Sequence, residues 1–162
     1  DPFETLISFI ISQNNNIPRI KGIISRLCDT FGEDINGTDR AFPDAEVLAS
    51  QSIESLAPLR SGFRAKYILD AARKVSEGKV VLSSLKDMPT ADASLQLQSI
   101  SGVGPKVAAC TLLYGCRHID SFPIDVWVRR VMAEMYPDGL PECTKGYEGI
   151  AQQYLFHYIR NR

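Results

Sequence analysis

The stretch Leu97-Gln98-Ser99-Ile100-Ser101-Gly102-Val103-Gly104-Pro105-Lys106 decides the reading of this chain, because it sets a two-glycine turn between segments of helical periodicity. Gly102 and Gly104 admit backbone angles closed to other residues, and without side chains they let backbone N–H groups approach an anion closely. Pro105 suits the first turn of the helix that follows, and a helix N-terminus favours a phosphate. A Gly-x-Gly turn alone is equally what a tight helix–helix connection uses. Ile100 and Val103 add the apolar flanks a packed hairpin requires, and Lys106 stands just inside the second helix.

Outward from this turn, nearly every segment repeats apolar residues at helical spacing, as Ile20, Ile23, Ile24, Leu27 and Phe31 do on one face. The expected fold class is therefore all-α, a compact multi-helix bundle around a helix-hairpin-helix motif. Helices are predicted near Asp1–Ser12, Pro18–Phe31, Asp44–Ala49, Ile53–Ala57, Arg64–Glu77, Ala91–Gln98, Pro105–Gly115, Asp125–Tyr136 and Lys145–Arg160. Gly32, Gly62, Gly78 and Gly115 stand where helices should stop, and Pro43, Pro58, Pro89 and Pro137 mark further breaks. Asp1-Pro2-Phe3-Glu4 has the form of a helix start, with a side-chain cap, a first-turn proline and an acid at the third position. No repeat, low-complexity tract or linker divides the chain, so 1–162 reads as one domain, with upstream sequence expected to have been removed.

The 162 residues are 44% hydrophobic and 23% charged, enough for a single core that buries about 70% of the surface its unfolded chain exposes. Cys28, Cys110, Cys116 and Cys143 form no CxxC pair and read as reduced thiols of an intracellular protein. The sequence shows no signal peptide, lipidation motif or apolar run of about 18 residues, so a soluble protein is expected. A net charge of −1 runs against the basic footprint usual for nucleic-acid binding. The segment from Arg60 to Lys79 could still carry a local positive surface, with Arg60, Arg64, Lys66, Arg73, Lys74 and Lys79 against Asp70 and Glu77; a solvated helix face is the plain alternative.

Downstream of Lys106, Phe122-Pro123-Ile124-Asp125-Val126-Trp127 opens another helix with Asp125 at its cap. The hairpin, the lysine and Pro123-Ile124-Asp125 together resemble the helix-hairpin-helix glycosylase superfamily. Its pattern is a Leu-Pro-Gly-Val-Gly hairpin, a lysine two residues on and a later Pro-Val-Asp. The lysine marks the bifunctional members, which displace a base and then cleave the strand by β-elimination. Attack on the sugar C1′ needs a neutral amine, whereas an unperturbed lysine has a pKa of about 10.4. Burial disfavours the ammonium, and a carboxylate facing the charge that develops on the sugar helps the base depart. Lys106 and Asp125 take these catalytic roles by the resemblance. As ordinary residues they would be a surface lysine, mildly misplaced at a helix N-terminus, and an N-cap worth about 1 kcal/mol.

Further motifs are similar to the 8-oxoguanine DNA glycosylase family. Asn14-Asn15-Asn16-Ile17-Pro18-Arg19 follows a helix opened by Asp1-Pro2, and Gly62-Phe63-Arg64-Ala65-Lys66-Tyr67 matches that family's Gly-Tyr-Arg-Ala-x-Tyr. The resemblance implies that Asn14 enters the space left by the flipped base, that Arg19 and Arg64 read the estranged cytosine, and that Phe63 is the stacking wedge. Stacking worth about 1–3 kcal/mol offsets much of the flipping cost. Ala151-Gln152-Gln153-Tyr154-Leu155-Phe156 resembles the segment whose glutamine bonds the pyrimidine-like edge of the oxidised base and whose phenylalanine stacks on it; these would be Gln152 and Phe156. Cys110, four residues after Lys106, matches the cysteine against the other face of the base. Taken without the family, Asn14–Asn16 is loop and cap chemistry, Phe63, Cys110 and Phe156 are core residues, and Gln152 is a surface polar group.

Phe63 departs from the expected tyrosine, and Trp127 stands where a histidine would contact phosphate. The resemblance also implies an N-terminal α/β region that supplies a carbonyl to the base, and a monovalent or calcium ion held by the hairpin carbonyls of Gln98, Ile100 and Val103. No cofactor is expected to be required. His118 and His157 offer no zinc spacing, and the four-cysteine tail of iron–sulfur glycosylases is absent from the sequence. The expected partner is double-stranded DNA carrying oxidised guanine opposite cytosine, contacted through Gly102, Val103 and Gly104 among others. No membrane partner is expected, and the protein should be a monomer in the cytoplasm or nucleoid of a bacterium or the nucleus of a eukaryote. The rival readings are a glycosylase for alkylated bases and a non-catalytic helix-hairpin-helix DNA-binding module.

Overall fold

Helix α1 (Pro2–Ser12) begins as its sequence signals require: Asp1 caps it by accepting the Glu4 N–H at 2.8 Å, and Pro2 occupies the first turn. The computed structural model describes residues 1–161. Eight further α-helices follow among them: α2 (Ile17–Phe31), α3 (Ala45–Ala49), α4 (Ala65–Ser76), α5 (Leu82–Leu85), α6 (Thr90–Gln98), α7 (Pro105–Gly115), α8 (Val126–Met135) and α9 (Glu148–Asn161). The one extended pairing among the described residues is an isolated antiparallel bridge between Asp34 and Arg40.

Helix α1 is the spine. Leu6, Ile7, Ile10 and Ile11 are fully buried, and the helix packs on α2, α4 and α7. Truncating any of these four to alanine should cost about 2–5 kcal/mol, because so tight an interior cannot collapse around the gap. The apolar face of α2 behaves as its spacing predicts, with Ile23 and Leu27 buried and Ile20, Ile24 and Phe31 packed against the same core. Helices α6 and α7 form the hairpin pair, while α8 and α9 pack on each other and bury Val128, Val131 and Ile159 outside the main cluster.

Four elements differ from the sequence expectation. Ile53–Ala57 is not a helix: the Ser52 and Ser55 hydroxyls each accept the other's backbone N–H, at 3.2 and 3.0 Å, and close a turn before a 3₁₀ turn over Ala57–Leu59. Serine hydroxyls compete in this way with the helical ladder. The four-residue α5 had too few positions to show a period. Helix α9 starts at Glu148 rather than near Lys145, after a 3₁₀ turn over Glu142–Thr144 and a left-handed Gly146 at φ +81°. Gly62, expected to end a helix, instead opens the 3₁₀ turn Gly62–Arg64 that leads into α4. No helix among the described residues is long and apolar enough to cross a membrane.

Candidate functional site

The hairpin turn runs from Ser99 to Gly104 between α6 and α7. Gly102 sits at φ +79°, where glycine carries no penalty, and a Cβ there would fall 2.4 Å from Cγ of Tyr67. Gly104 differs from the expectation: its φ of −94° suits any residue. What its missing side chain provides is open space, since a Cβ there would meet nothing within 4 Å. The gap lies before the first turn of α7, whose N-cap supplies no side-chain acceptor. Val103 is buried, pinning the turn to the core. From outside the motif, Asp70 on α4 accepts the Ser101 N–H at 2.7 Å, and Lys74 donates to the Ser99 carbonyl at 2.5 Å while pairing with Asp70 at 3.0 Å.

Lys106 follows Pro105 on α7, and its side chain is exposed rather than buried. It stands where two clefts meet. One, of about 560 Å³, is also lined by Cys110, Asp125, Gln152 and Phe156, so the structure gathers the proposed nucleophile, carboxylate and base-contacting groups around one hollow. The other, of about 470 Å³, is lined by Asn14, Phe63, Tyr67, Gly102, Gly104, Lys106 and Cys110. Both volumes fall in the range usual for ligand clefts. A larger cavity, of about 870 Å³, is also lined by Lys106 and holds none of the other proposed base contacts.

Asp125 is the N-cap of α8, accepting the N–H groups of Trp127 at 2.9 Å and Val128 at 2.8 Å. Both bonds end on Oδ1, which fixes the carboxylate while leaving Oδ2 outside the cap. Cys110 is buried, and that burial pushes its thiol up to about 11; the nearby Lys106 charge pulls it down and the Asp125 charge pushes it up. One thiol thus feels both proposed catalytic charges. Gln152 is only 5% exposed, contrary to a surface polar group, and accepts from the Gln153 side chain. Phe156 carries the Arg160 guanidinium 5.8 Å from its ring centroid.

Around the second cleft, Asn14 is exposed in the left-handed region at φ +46°, a conformation asparagine tolerates. Phe63 is 51% exposed and meets Tyr67 edge-on at 6.0 Å, so the wedge position leans on the ring that covers Gly102. Arg19 and Trp127 are exposed, and Arg19 reaches the Arg60 carbonyl at 3.5 Å. Arg64 is not the free reader expected from the sequence. It is 1% exposed and donates to the carbonyls of Gln13, Asn14 and Ser61, because its planar fork satisfies several acceptors at once. Burial, then the Arg19 charge, lower its pKa.

Of the six cations between Arg60 and Lys79, Arg60, Lys66, Arg73 and Lys79 are exposed, Lys74 is half-buried and Arg64 alone is buried, and several are engaged by acceptors of the protein itself. Arg73 donates to the Ala49 and Gln51 carbonyls, and Lys74 and Lys79 pair with Asp70 and Glu77. Of the carbonyls proposed for a cation, that of Ile100 accepts the Val103 N–H at 3.0 Å, leaving its second lone pair free. No group of three His, Cys, Asp or Glu side chains suited to a metal occurs among the described residues. His118 is buried with Nε2 against the Leu85 carbonyl at 2.7 Å and Nδ1 against the Thr90 hydroxyl at 2.9 Å.

Residues 7–141 match the family model of the HhH-GPD superfamily base excision DNA repair proteins. The chain belongs to this superfamily. An N-glycosylase/DNA lyase of Saccharomyces cerevisiae is 41% identical to this HhH-GPD chain over 152 residues, covering 84% of the chain and 40% of the yeast protein. Among solved structures, MBOgg1 bound to a low-affinity DNA ligand superposes with a TM-score of 0.89 at 42% identity, over 99% of this chain and 60% of that one. The Clostridium acetobutylicum 8-oxoguanine glycosylase/lyase, bound to duplex DNA with cytosine opposite 8-oxoguanine, gives 0.87 at 34% identity over 99% and 60%. The HhH-GPD chain spans 40–61% of the length of three curated relatives.

Sequence reasoning missed Tyr114, Phe9 and Gln153. Tyr114 was within reach of it, since Lys106, Cys110 and Tyr114 follow one another at four-residue steps on one face of α7. Phe9, which stacks on Tyr114 at 5.5 Å, carries no local signal that separates it from the core of α1.

Proposed function

We propose that this HhH-GPD protein is a bifunctional DNA glycosylase and abasic-site lyase that removes 8-oxoguanine from duplex DNA. The observation that carries the reading is the single cleft lined by Lys106, Asp125, Cys110, Gln152 and Phe156. A lone backbone grip has no use for a lysine, a fixed carboxylate and a buried amide around a hollow of base size.

In this reading the hairpin holds the phosphate backbone at the open face of Gly104 and the N-terminus of α7. Phe63 and Asn14 fill the stack, Arg19 meets the orphaned cytosine, and Arg64 acts by holding the Gln13–Asn14 backbone. The extruded base enters between Cys110 and Phe156, with its polar edge on Gln152. Lys106 stands in water in the free protein, so closure over DNA must dry it before it attacks. Its amine then bonds to C1′ as the glycosidic bond breaks and the base leaves with the electron pair. The new nitrogen sheds one proton, its lone pair then forms the C1′=N bond as the C1′–O4′ bond breaks, and O4′ leaves with the electron pair and takes a proton. The resulting iminium acidifies C2′, so that removal of a C2′ proton expels the 3′ phosphate. Oδ2 of Asp125 opposes the positive charge on the sugar. The same proposal makes 1–162 the catalytic core beside an N-terminal α/β region, gives the hairpin carbonyls of Gln98, Ile100 and Val103 to a cation, and has the protein act as a monomer inside the cell.

Borohydride should trap a covalent adduct between the protein and a duplex bearing 8-oxoguanine opposite cytosine. Lys106→Gln should abolish trapping and retain salt-dependent duplex binding. Undiminished trapping by that variant rejects Lys106 as nucleophile. Release of alkylated bases without release of 8-oxoguanine rejects the substrate.

A further inference from the structure

The amide of Gln152 is buried on the wall of the base cleft, and its Oε1 accepts a hydrogen bond from Nε2 of Gln153, the next residue on α9. Beside it stands Tyr114, whose phenol burial pushes up and the neighbouring Gln153 side chain pulls down, and whose ring is stacked on Phe9 at 5.5 Å with 28° between the planes. Tyr114, Phe9 and Gln152 all line the cleft, and Gln153 is not among the lining residues. A buried primary amide can present either its oxygen or its NH₂ in a given direction, and a half-turn about its terminal bond exchanges the two. Here the exchange is opposed, because Gln153 offers an N–H donor to the oxygen and would face a second donor if the amide turned.

We propose that Gln153, steadied by Tyr114, is a positioning residue that fixes the orientation of the Gln152 amide and thereby sets which purine edge the cleft accepts. The inference rests on the base-excision reading above and adds the residue that selects the edge. A guanine-type edge offers an N1–H donor beside an O6 acceptor, and an adenine-type edge offers an N6–H₂ donor beside an N1 acceptor. Along the base the donor and acceptor stand in reversed order, so one amide orientation suits one and its flipped form suits the other. Sites that read a polar edge with fixed partners discriminate far better than sites that sense shape alone. Locking a freely rotating amide converts a wall tolerant of both edges into one that prefers a single edge.

Gln153→Glu is the decisive variant. Its carboxylate accepts only, so the Gln152 NH₂ turns toward it and the oxygen turns away. Gln153→Leu removes the partner, leaving the amide free. Excision is measured on duplexes carrying 8-oxoguanine and on duplexes carrying 8-oxoadenine, and strand cleavage at a preformed abasic site is measured in parallel. The wild-type protein should favour 8-oxoguanine. The preference should fall about five- to tenfold in Gln153→Leu, the worth of one net hydrogen bond, and further in Gln153→Glu. Tyr114→Phe, which keeps the stack and removes the hydroxyl, should give a smaller loss of preference. Abasic-site cleavage, which uses Lys106 without reading a base, should persist in both Gln153 variants and thereby reports that they fold. An unchanged 8-oxoguanine to 8-oxoadenine ratio in Gln153→Glu overturns the positioning role even where both rates drop together. Wild-type protein that cleaves abasic sites and releases neither base overturns the substrate reading, and with it this inference; that outcome is distinct from normal excision with an unmoved ratio.

Discussion

The carboxylate of Asp70 on α4 takes the backbone N–H of Ser101 at 2.7 Å, so the hairpin turn is held by a helix that is not part of the hairpin. The same oxygen pairs with Lys74, whose ammonium returns to the Ser99 carbonyl. Both open sides of the turn are therefore tied to α4 through two side chains one helical turn apart. Burial raises the Asp70 carboxyl, but the Ser101 N–H and the Lys74 ammonium outweigh it and hold the group below the usual carboxylate range. With the folded value below the unfolded one of about 3.9, the stabilisation is present above about pH 4 and is lost as pH falls through the lower, folded value. Asp70→Asn should lower stability at pH 7 by about 1 kcal/mol, at the low end for a charged hydrogen bond because the side chain is 30% exposed. Urea unfolding at pH 7 and at pH 3 checks it: the gap between wild type and variant should shrink at pH 3, and an equal gap at both rejects the linkage.

Much of this was legible in the residues because local chemistry and fold agree. Asp1, Pro2 and Glu4 make a helix start whatever surrounds them, and Gly102 needs its positive φ for a turn that the sequence itself spells out. The cleft residues come from α7, α8 and α9, far apart in the chain, and only the resemblance to known glycosylases joined Lys106 to Asp125 and Gln152. What stayed hidden was long-range partnership. Nothing near Arg64 says that it will be buried under the Gln13 and Asn14 carbonyls rather than left free, and nothing near Asp70 announces Ser101. Counting the cations between Arg60 and Lys79 likewise does not reveal which carbonyls or carboxylates Arg73, Lys74 and Lys79 meet.

Arg64 holds the loop that carries Asn14 by donating to the carbonyls of Gln13, of Asn14 itself and of Ser61. Arg64→Met keeps the bulk and strands those acceptors, which should cost about 2–3 kcal/mol. Arg64→Lys should recover part of the loss only, because a single ammonium cannot reproduce the fork. Thermal unfolding orders the three proteins. On the proposed function, excision of 8-oxoguanine should follow the same order, and discrimination among bases in the opposite strand should weaken as Asn14 loses its fixed place. A Met variant that melts like wild type contradicts the clamp.

Cys110 should be the slow thiol of this chain and Cys143 the fast one. Cys143 is exposed, whereas burial lifts Cys110 to about 11, so almost none of it is thiolate at neutral pH. A group whose neutral form the fold prefers stabilises below its unfolded pKa, and that contribution drains away between the thiol's ordinary value of 9.0 and about 11. Iodoacetamide labelling read by peptide mass should therefore mark Cys143 first at pH 8, with Cys110 labelled only as the solution becomes strongly alkaline. Early labelling of Cys110 at pH 8 rejects its burial in the cleft wall.

Gly149 is the point at which α9 meets the loop beyond α7. Its N–H donates to the Ile119 carbonyl at 2.8 Å, and a Cβ on it would stand 2.4 Å from the Ser121 carbonyl oxygen and 2.6 Å from Leu113 Cδ1. The nearest neighbour is backbone, which cannot swing aside as a long side chain would, so Gly149→Ala must push α9 outward. Overpacking of this kind costs about 1–3 kcal/mol. Gln152 and Phe156 ride on α9 within the next two turns, while Lys106 stays on α7, so the displacement widens the base cleft without moving the amine. Small misplacements of reacting groups cost on the order of a hundredfold in rate. Excision of 8-oxoguanine should therefore fall by between about tenfold and a hundredfold, while cleavage at preformed abasic sites, which leaves Gln152 and Phe156 unused, should stay near the wild-type rate. Parallel decline of the two activities would mean that α9 supports the whole fold rather than the base-reading wall.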